Sequence, residues 1–224
     1  MLGLALFAVL ALLVQTGWSQ TYDVQVMLAI GESRPLWLTR LMRVASVVGS
    51  GVVEIPLGLF LSFQLARIRR RSESVGYASA VLSGWALYAL LKVLFHRARP
   101  HVIPRLMRGA GWYAFPSGHA TLAPLVFGLG VLVWAAPWRW RTRAALLAAA
   151  AALSIFIAAS RVYLGMHWPT DALGGLLLGT GWAGLWMWWW ERRTRGAPGG
   201  STPYGGRSGD GPSRGDLAPA APTP

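Results

Sequence analysis

The sequence predicts an all-α, polytopic membrane helix bundle with about six transmembrane helices, and three observations carry that prediction. Of the 224 residues 54% are apolar and 13% charged, and the apolar residues fall in long runs rather than in the alternating or sparse pattern of a soluble core. The basic residues gather in short clusters between those runs, "RIRRR" at 67–71, "RWRTR" at 139–143 and "ERRTR" at 191–195, as juxtamembrane loops require. Trp, present 13 times, is concentrated beside two of these clusters, at 134, 138, 140, 186 and 188–190, in the manner of an interfacial aromatic belt. The formal charge of +13 is thus spent on membrane flanks, and no nucleic-acid partner is expected. With no Cys, neither a disulfide framework nor a thiolate metal site is available.

Taken in order, the apolar runs cover 2–17, 44–66, 75–95, 120–136, 144–160 and 172–190, each near the ~20 residues that span a bilayer. The first has no Lys or Arg before it and no A-x-A-like cleavage site, so it reads as a retained helix rather than a removed leader. Residues 18–43 mix polar and apolar positions over lengths too short to cross, which suits an interfacial or loop helix pair, with Trp18 and Trp37 at the interface. The expected organisation is a first helix plus interfacial segment at 1–43, a catalytic helix bundle at 44–192, and a disordered cytoplasmic tail at 193–224, where Gly, Pro, Ser and Ala leave nothing to bury. Glu54, next to Pro56 inside the second run, is an intramembrane acid that can pair with an Arg, line a lipid path or sit near the interface.

Six spans put 67–74, 137–143 and the tail on one face, and 18–43, 96–119 and 161–171 on the other. Basic residues divide nearly evenly between the two, but they are packed densely against span ends and Trp only on the first, which we assign to the cytoplasm. The opposite face holds the only Lys, Lys92, together with all four His (96, 101, 119, 167) and Asp171. Ionisable groups at span ends are costly without partners or a task.

They fall into three groups. In "KVLFHRARP", Lys92 and Arg99 lie about two turns apart and share a face if the helix continues that far, a pair of cations suited to a multi-oxygen anion. In "PSGH", Pro116 stops the preceding segment, Ser117 is a good N-cap, and His119 lands in the first turn beside the free amide of Gly118, so that a proton donor adjoins an anion cradle. In "SRVYLGMHWPTD", Arg161 supplies a further cation, while His167 and Asp171 are four positions apart across a Pro169 that suits a helix start. Asp171 can then accept from one imidazole nitrogen and leave the other basic and nucleophilic. Taken singly, each group has an ordinary explanation as a snorkelling Lys, a turn or a helical pair, and Arg97 and Arg105 read as surface charges. Three groups from three segments on one face of a membrane protein point to a shared site.

These residues resemble the type 2 phosphatidic acid phosphatases, membrane lipid phosphate phosphatases related to vanadium haloperoxidases and glucose-6-phosphatase. The family pattern K-x6-R-P, P-S-G-H, S-R-x5-H-x3-D is present in order and without departure as Lys92/Arg99/Pro100, Pro116/Ser117/Gly118/His119 and Ser160/Arg161/His167/Asp171. The likeness covers roughly residues 40–190. It implies that His167 attacks phosphorus to form a phosphohistidine, that Asp171 fixes its tautomer, and that His119 protonates the departing oxygen and then activates water. It further implies that Lys92, Arg99, Ser117, Gly118 and Arg161 hold the phosphate oxygens, and that neither metal nor cofactor is required. The expected substrate is a membrane lipid phosphate met at the extracytoplasmic face of a bacterial inner membrane: undecaprenyl diphosphate, phosphatidylglycerol phosphate or phosphatidate. A lipid phosphotransferase would carry the same motifs. Trp112, Tyr113 and Phe115, ahead of the second motif, either grip a lipid tail or anchor the loop.

Overall fold

The computed structural model describes residues 2–108, 111 and 113–195. In chain order these form α1 (Leu2–Gln15), α2 (Gln20–Glu32), α3 (Leu36–Val48), α4 (Gly51–Arg67), α5 (Arg71–Phe95), α6 (Gly118–Ala123), a π-helical turn (Pro124–Gly128), α7 (Leu129–Trp134), α8 (Trp140–Tyr163) and α9 (Pro169–Arg195), with no strand among the described residues. Every apolar run has become helix. The mixed segment 18–43 has become α2 and most of α3, which runs on to Val48. Trp112 and residues 196–224, most of the expected tail, lie outside the described residues, and α9 continues as helix to Arg195.

The protein is an integral membrane protein. Helices α5 and α8 are each long and apolar enough to cross a bilayer, while α1 with α2, and α3 with α4, meet the same criterion as pairs bent by 90° and 47°. Helix α9 has 27 residues, a length of about 40 Å at 1.5 Å per residue. The distribution of side chains is that of a protein dissolved in lipid: Leu12, Val52 and Leu94 are exposed, whereas Asp23, Glu54 and Asp171 are fully buried. Glu54 does not find an Arg. Both its carboxylate oxygens lie in the interior with no hydrogen-bond partner among the described residues.

Two close approaches fix the site's scaffold. Helix α9 packs backbone to backbone on α6: a Cβ at Gly175 would sit 2.5 Å from the Ser117 carbonyl oxygen, and one at Gly179 would sit 2.2 Å from that of Thr121. Gly179→Ala therefore pits a helix-propensity gain of up to about 1 kcal/mol against overpacking that costs about 1–3 kcal/mol or more where main chain must yield. The second effect should win, and a lowered unfolding midpoint in detergent is the expected result. The other approach is at Gly165, whose φ of +73° turns the chain out of α8 where a Cβ would press the Pro104 carbonyl oxygen at 3.0 Å.

Candidate active site

Helix α5 stops at Phe95 because His96 adopts a left-handed conformation (φ 48°), so Arg99 stands in the following loop rather than on the helical face shared with Lys92. The two cations still meet. Together with Tyr88, His119, Arg161 and His167 they line a cavity of about 450 Å³ at one end of the bundle. All three sequence groups contribute to it. Of the four His, only His119 and His167 line it; His96 and His101 are exposed and lie against Tyr113 and Trp168 respectively. Phe115 is buried against Phe7 and Phe95, which makes it an anchor of the loop, while Tyr113 borders the cavity.

Each motif is delivered by its local structure. Lys92 reaches from the last turn of α5 to the carbonyl oxygens of Tyr113 and Ala114, at 3.1 and 3.4 Å, just ahead of the Pro-Ser-Gly-His turn. Ser117 occupies the N-cap position of α6 with an extended backbone, but its side chain does not cap. Its N–H donates to the Asp171 carbonyl oxygen at 3.0 Å and its carbonyl accepts from Thr121, which binds the start of α6 to the start of α9. The Ser117 hydroxyl is left buried without a partner among the described residues. Arg161, in the last turn of α8, donates through Nη1 to Ser46 of α3, and its Nε has no partner among the described residues. Buried polar atoms are nearly always paired. That three of them occur in motif residues, the Ser117 hydroxyl, Arg161 Nε and His167 Nδ1, marks this end of the bundle as a candidate anion site.

His167 sits in the short connection between α8 and α9, and Pro169 opens α9 as the sequence suggested. Arg99 Nη1 donates to His167 Nε2 at 3.2 Å, and Arg99 also grips the carbonyl oxygens of Gly111 and Met166. A guanidinium can only donate, so Nε2 presents its lone pair and the ring proton resides on Nδ1. That nitrogen lies 3.5 Å from Asp171 Oδ2, an ion-pair distance, and makes no hydrogen bond among the described residues. The same Oδ2 accepts from the Trp168 N–H at 2.8 Å, which fixes the carboxylate's tilt. Burial, and then the positive fields of Lys92, Arg99 and Arg161, push His167 well below its ordinary value, so its ring is neutral at neutral pH.

The sequence reading is corrected at Arg97, whereas Arg105 is exposed as a surface charge should be. Arg97 is no surface charge: its guanidinium bridges two buried carboxylates, Asp171 Oδ1 and Asp23 Oδ2, each at 2.6 Å. Arg105 folds back onto the Pro100 carbonyl oxygen at 2.9 and 3.1 Å and so braces the loop that carries Arg99. Ion pairs that join positions 74 residues apart leave no periodic trace, and in the sequence Asp23 is one polar position of a mixed segment read as interfacial.

The sequence profile of the PAP2 superfamily matches residues 73–195. Phosphatidylglycerophosphatase B of Bacillus subtilis is 27% identical over 175 residues, covering 77% of this chain and 85% of that protein. An undecaprenyl-diphosphatase of Sulfolobus acidocaldarius is 28% identical over 184 residues, 79% of this chain and 84% of its own length. The crystal structure of a transmembrane PAP2-type phosphatidylglycerolphosphate phosphatase from Bacillus subtilis superposes with a TM-score of 0.79 at 25% identity, covering 87% of this chain and 97% of that one.

Proposed function

Because the chain belongs to the PAP2 superfamily and is a membrane-integrated lipid phosphate phosphatase, we propose that it cleaves its substrate through a phosphohistidine on His167, without a metal. The observation that carries this reading is His167 in the wall of a cavity it shares with Lys92, Arg99 and Arg161, its Nε2 accepting from Arg99. A phosphoryl group bound among these cations would displace Arg99 from Nε2 onto its own oxygens. Nε2 then attacks phosphorus in line, a P–N bond forms as the P–O bond breaks, and the Nδ1 proton stays with the ring, stabilised by Asp171.

His119 lines the opposite part of the chemistry. The negative charge of the bound phosphate favours its imidazolium, which gives its proton to the departing oxygen. Now neutral, His119 takes a proton from water, the resulting hydroxide attacks phosphorus, the P–N bond breaks, and inorganic phosphate leaves with His167 restored. Lys92, Arg99 and Arg161, the Ser117 hydroxyl and the Gly118 amide hold the non-bridging oxygens as charge builds on them. Three protein cations do the work that a divalent ion does in other phosphoryl-transfer sites, and Asp171, the carboxylate nearest to them, is already bound by Arg97. Phosphate release should therefore persist in excess EDTA; loss of activity that Mg²⁺ restores would refute the metal-free scheme.

The lipid nature of the substrate follows from the cavity wall. Ala89 and Val93 of α5 border the cavity, and Val93 is also exposed on the helix's apolar outer face beside Leu90 and Leu94, so a headgroup can enter while its chains stay in the bilayer. We rank phosphatidylglycerol phosphate and undecaprenyl diphosphate ahead of phosphatidate as substrates, a ranking that the names of the relatives support. We assign the site to the extracytoplasmic face of a bacterial inner membrane, opposite the dense Arg and Trp clusters. Phosphate release from the three lipids by detergent-purified protein, with and without an acceptor lipid, ranks the substrates; transfer in place of release would identify a phosphotransferase.

A further inference from the structure

Asp23 lies in α2, outside the residues 73–195 that match the family profile, and it is fully buried. Nothing in the proposed chemistry uses it, yet it is joined to the site by the most densely bonded polar cluster in the described structure. Its Oδ1 accepts the Thr170 N–H at 2.9 Å, which caps the first turn of α9 from a different helix. Its Oδ2 accepts from the Thr170 hydroxyl and from Arg97 Nη2, both at 2.6 Å. Arg97 Nη1 in turn donates to Thr170 Oγ1 at 2.8 Å and to Asp171 Oδ1 at 2.6 Å.

The chain of contacts runs His167, Asp171, Arg97, Asp23, and its geometry has a purpose. An Asp171 carboxylate left alone could rotate, and a guanidinium bound to it alone would draw its charge away from His167. Sharing one guanidinium between two carboxylates avoids both: Oδ1 is pinned by Arg97, Oδ2 is held by the Trp168 N–H 3.5 Å from the imidazole Nδ1, and the cluster keeps one net negative charge beside the ring that becomes positive on attack. The N-terminus of α9 supports the same sign of charge. Arg97 is further fixed by its own main chain, whose carbonyl accepts the Ala114 N–H at 2.8 Å, and by its position 5.7 Å above the Trp168 ring.

We infer that Arg97 and Asp23 are positioning residues for catalysis, and that the N-terminal pair α1 and α2 therefore completes the active site rather than serving only as an anchor. The inference rests on the proposed role of His167 and Asp171. Its test is a double-mutant cycle read in turnover. Arg97→Lys keeps the charge but cannot fork between two carboxylates, and Asp23→Asn keeps the shape and the Thr170 cap. Each should lower kcat about 10- to 100-fold, the range found when groups orienting a functional imidazole are removed, with KM changed less than about 2-fold, because neither touches the phosphate. Variants are compared at equal folded fraction, judged by elution profile and unfolding midpoint.

The deciding arm repeats both substitutions in an Asp171→Asn background. If Arg97 and Asp23 act through Asp171, their further effect there shrinks to less than about 3-fold. Losses of equal size in both backgrounds, or no loss beside wild-type Asp171, would overturn the positioning role and leave the phosphohistidine reading intact. Phosphate release insensitive to His167→Ala would overturn both.

Discussion

Replacing His167 with Ala should bring phosphate release down to the uncatalysed background, a fall of about 10⁴-fold or more in kcat, because the covalent route loses the atom that attacks phosphorus. The surrounding cations would still bind the headgroup, so the affinity of the variant for substrate should remain near that of the parent. This split distinguishes a nucleophile from a structural histidine. His167 is fully buried and contacts the chain through Arg99, so an unfolded protein would lose binding and turnover together. Retention of more than about a tenth of the activity would mean that another group attacks, or that water attacks directly.

Replacing His119 with Ala should cost about 10²- to 10⁴-fold, the usual range for a general acid or base, and the cost should depend on the leaving group. A diacylglycerol oxygen leaves as a strongly basic alkoxide and needs the proton; an undecaprenyl phosphate leaves already stabilised. The loss in kcat/KM, which reports the first chemical step, should therefore be larger for phosphatidate than for undecaprenyl diphosphate. A kcat/KM unchanged on both substrates, with kcat lowered, would restrict His119 to activating water in the second step. Because that second step also needs His119, the phosphorylated enzyme should accumulate in this variant.

Much of this architecture can be read from the sequence, for identifiable physical reasons. A membrane span is a composition written continuously along the chain, so the runs that became α1, α4, α5, α6 to α7, α8 and α9 are visible without any tertiary information. The site residues are also local signals, since Pro169 opens α9 and so places His167 and Asp171. What cannot be read is where the chain closes on itself. The end of α5 at His96 left Arg99 in a loop, and only the fold returned it to Lys92 through the cavity. The role of Asp23 depends on α2 meeting the start of α9, so a residue that looked like one polar position in a mixed segment is part of the catalytic end. Ser117 stands where an N-cap was expected but keeps its hydroxyl free of the cap, a difference of side-chain rotation that sequence preference does not encode.

The central claim is the covalent intermediate, and the direct measurement is to trap it. Wild-type protein and the His119→Ala variant, in detergent and excess EDTA, would be mixed with lipid substrate carrying a radiolabelled terminal phosphate, quenched within a single turnover, and mapped by peptide. The account predicts protein-bound phosphate that is labile in acid and stable in alkali, located on His167, more abundant in the His119→Ala variant, and absent from His167→Ala. Product formed through a full turnover with no labelled protein, or label on any other residue, would contradict it.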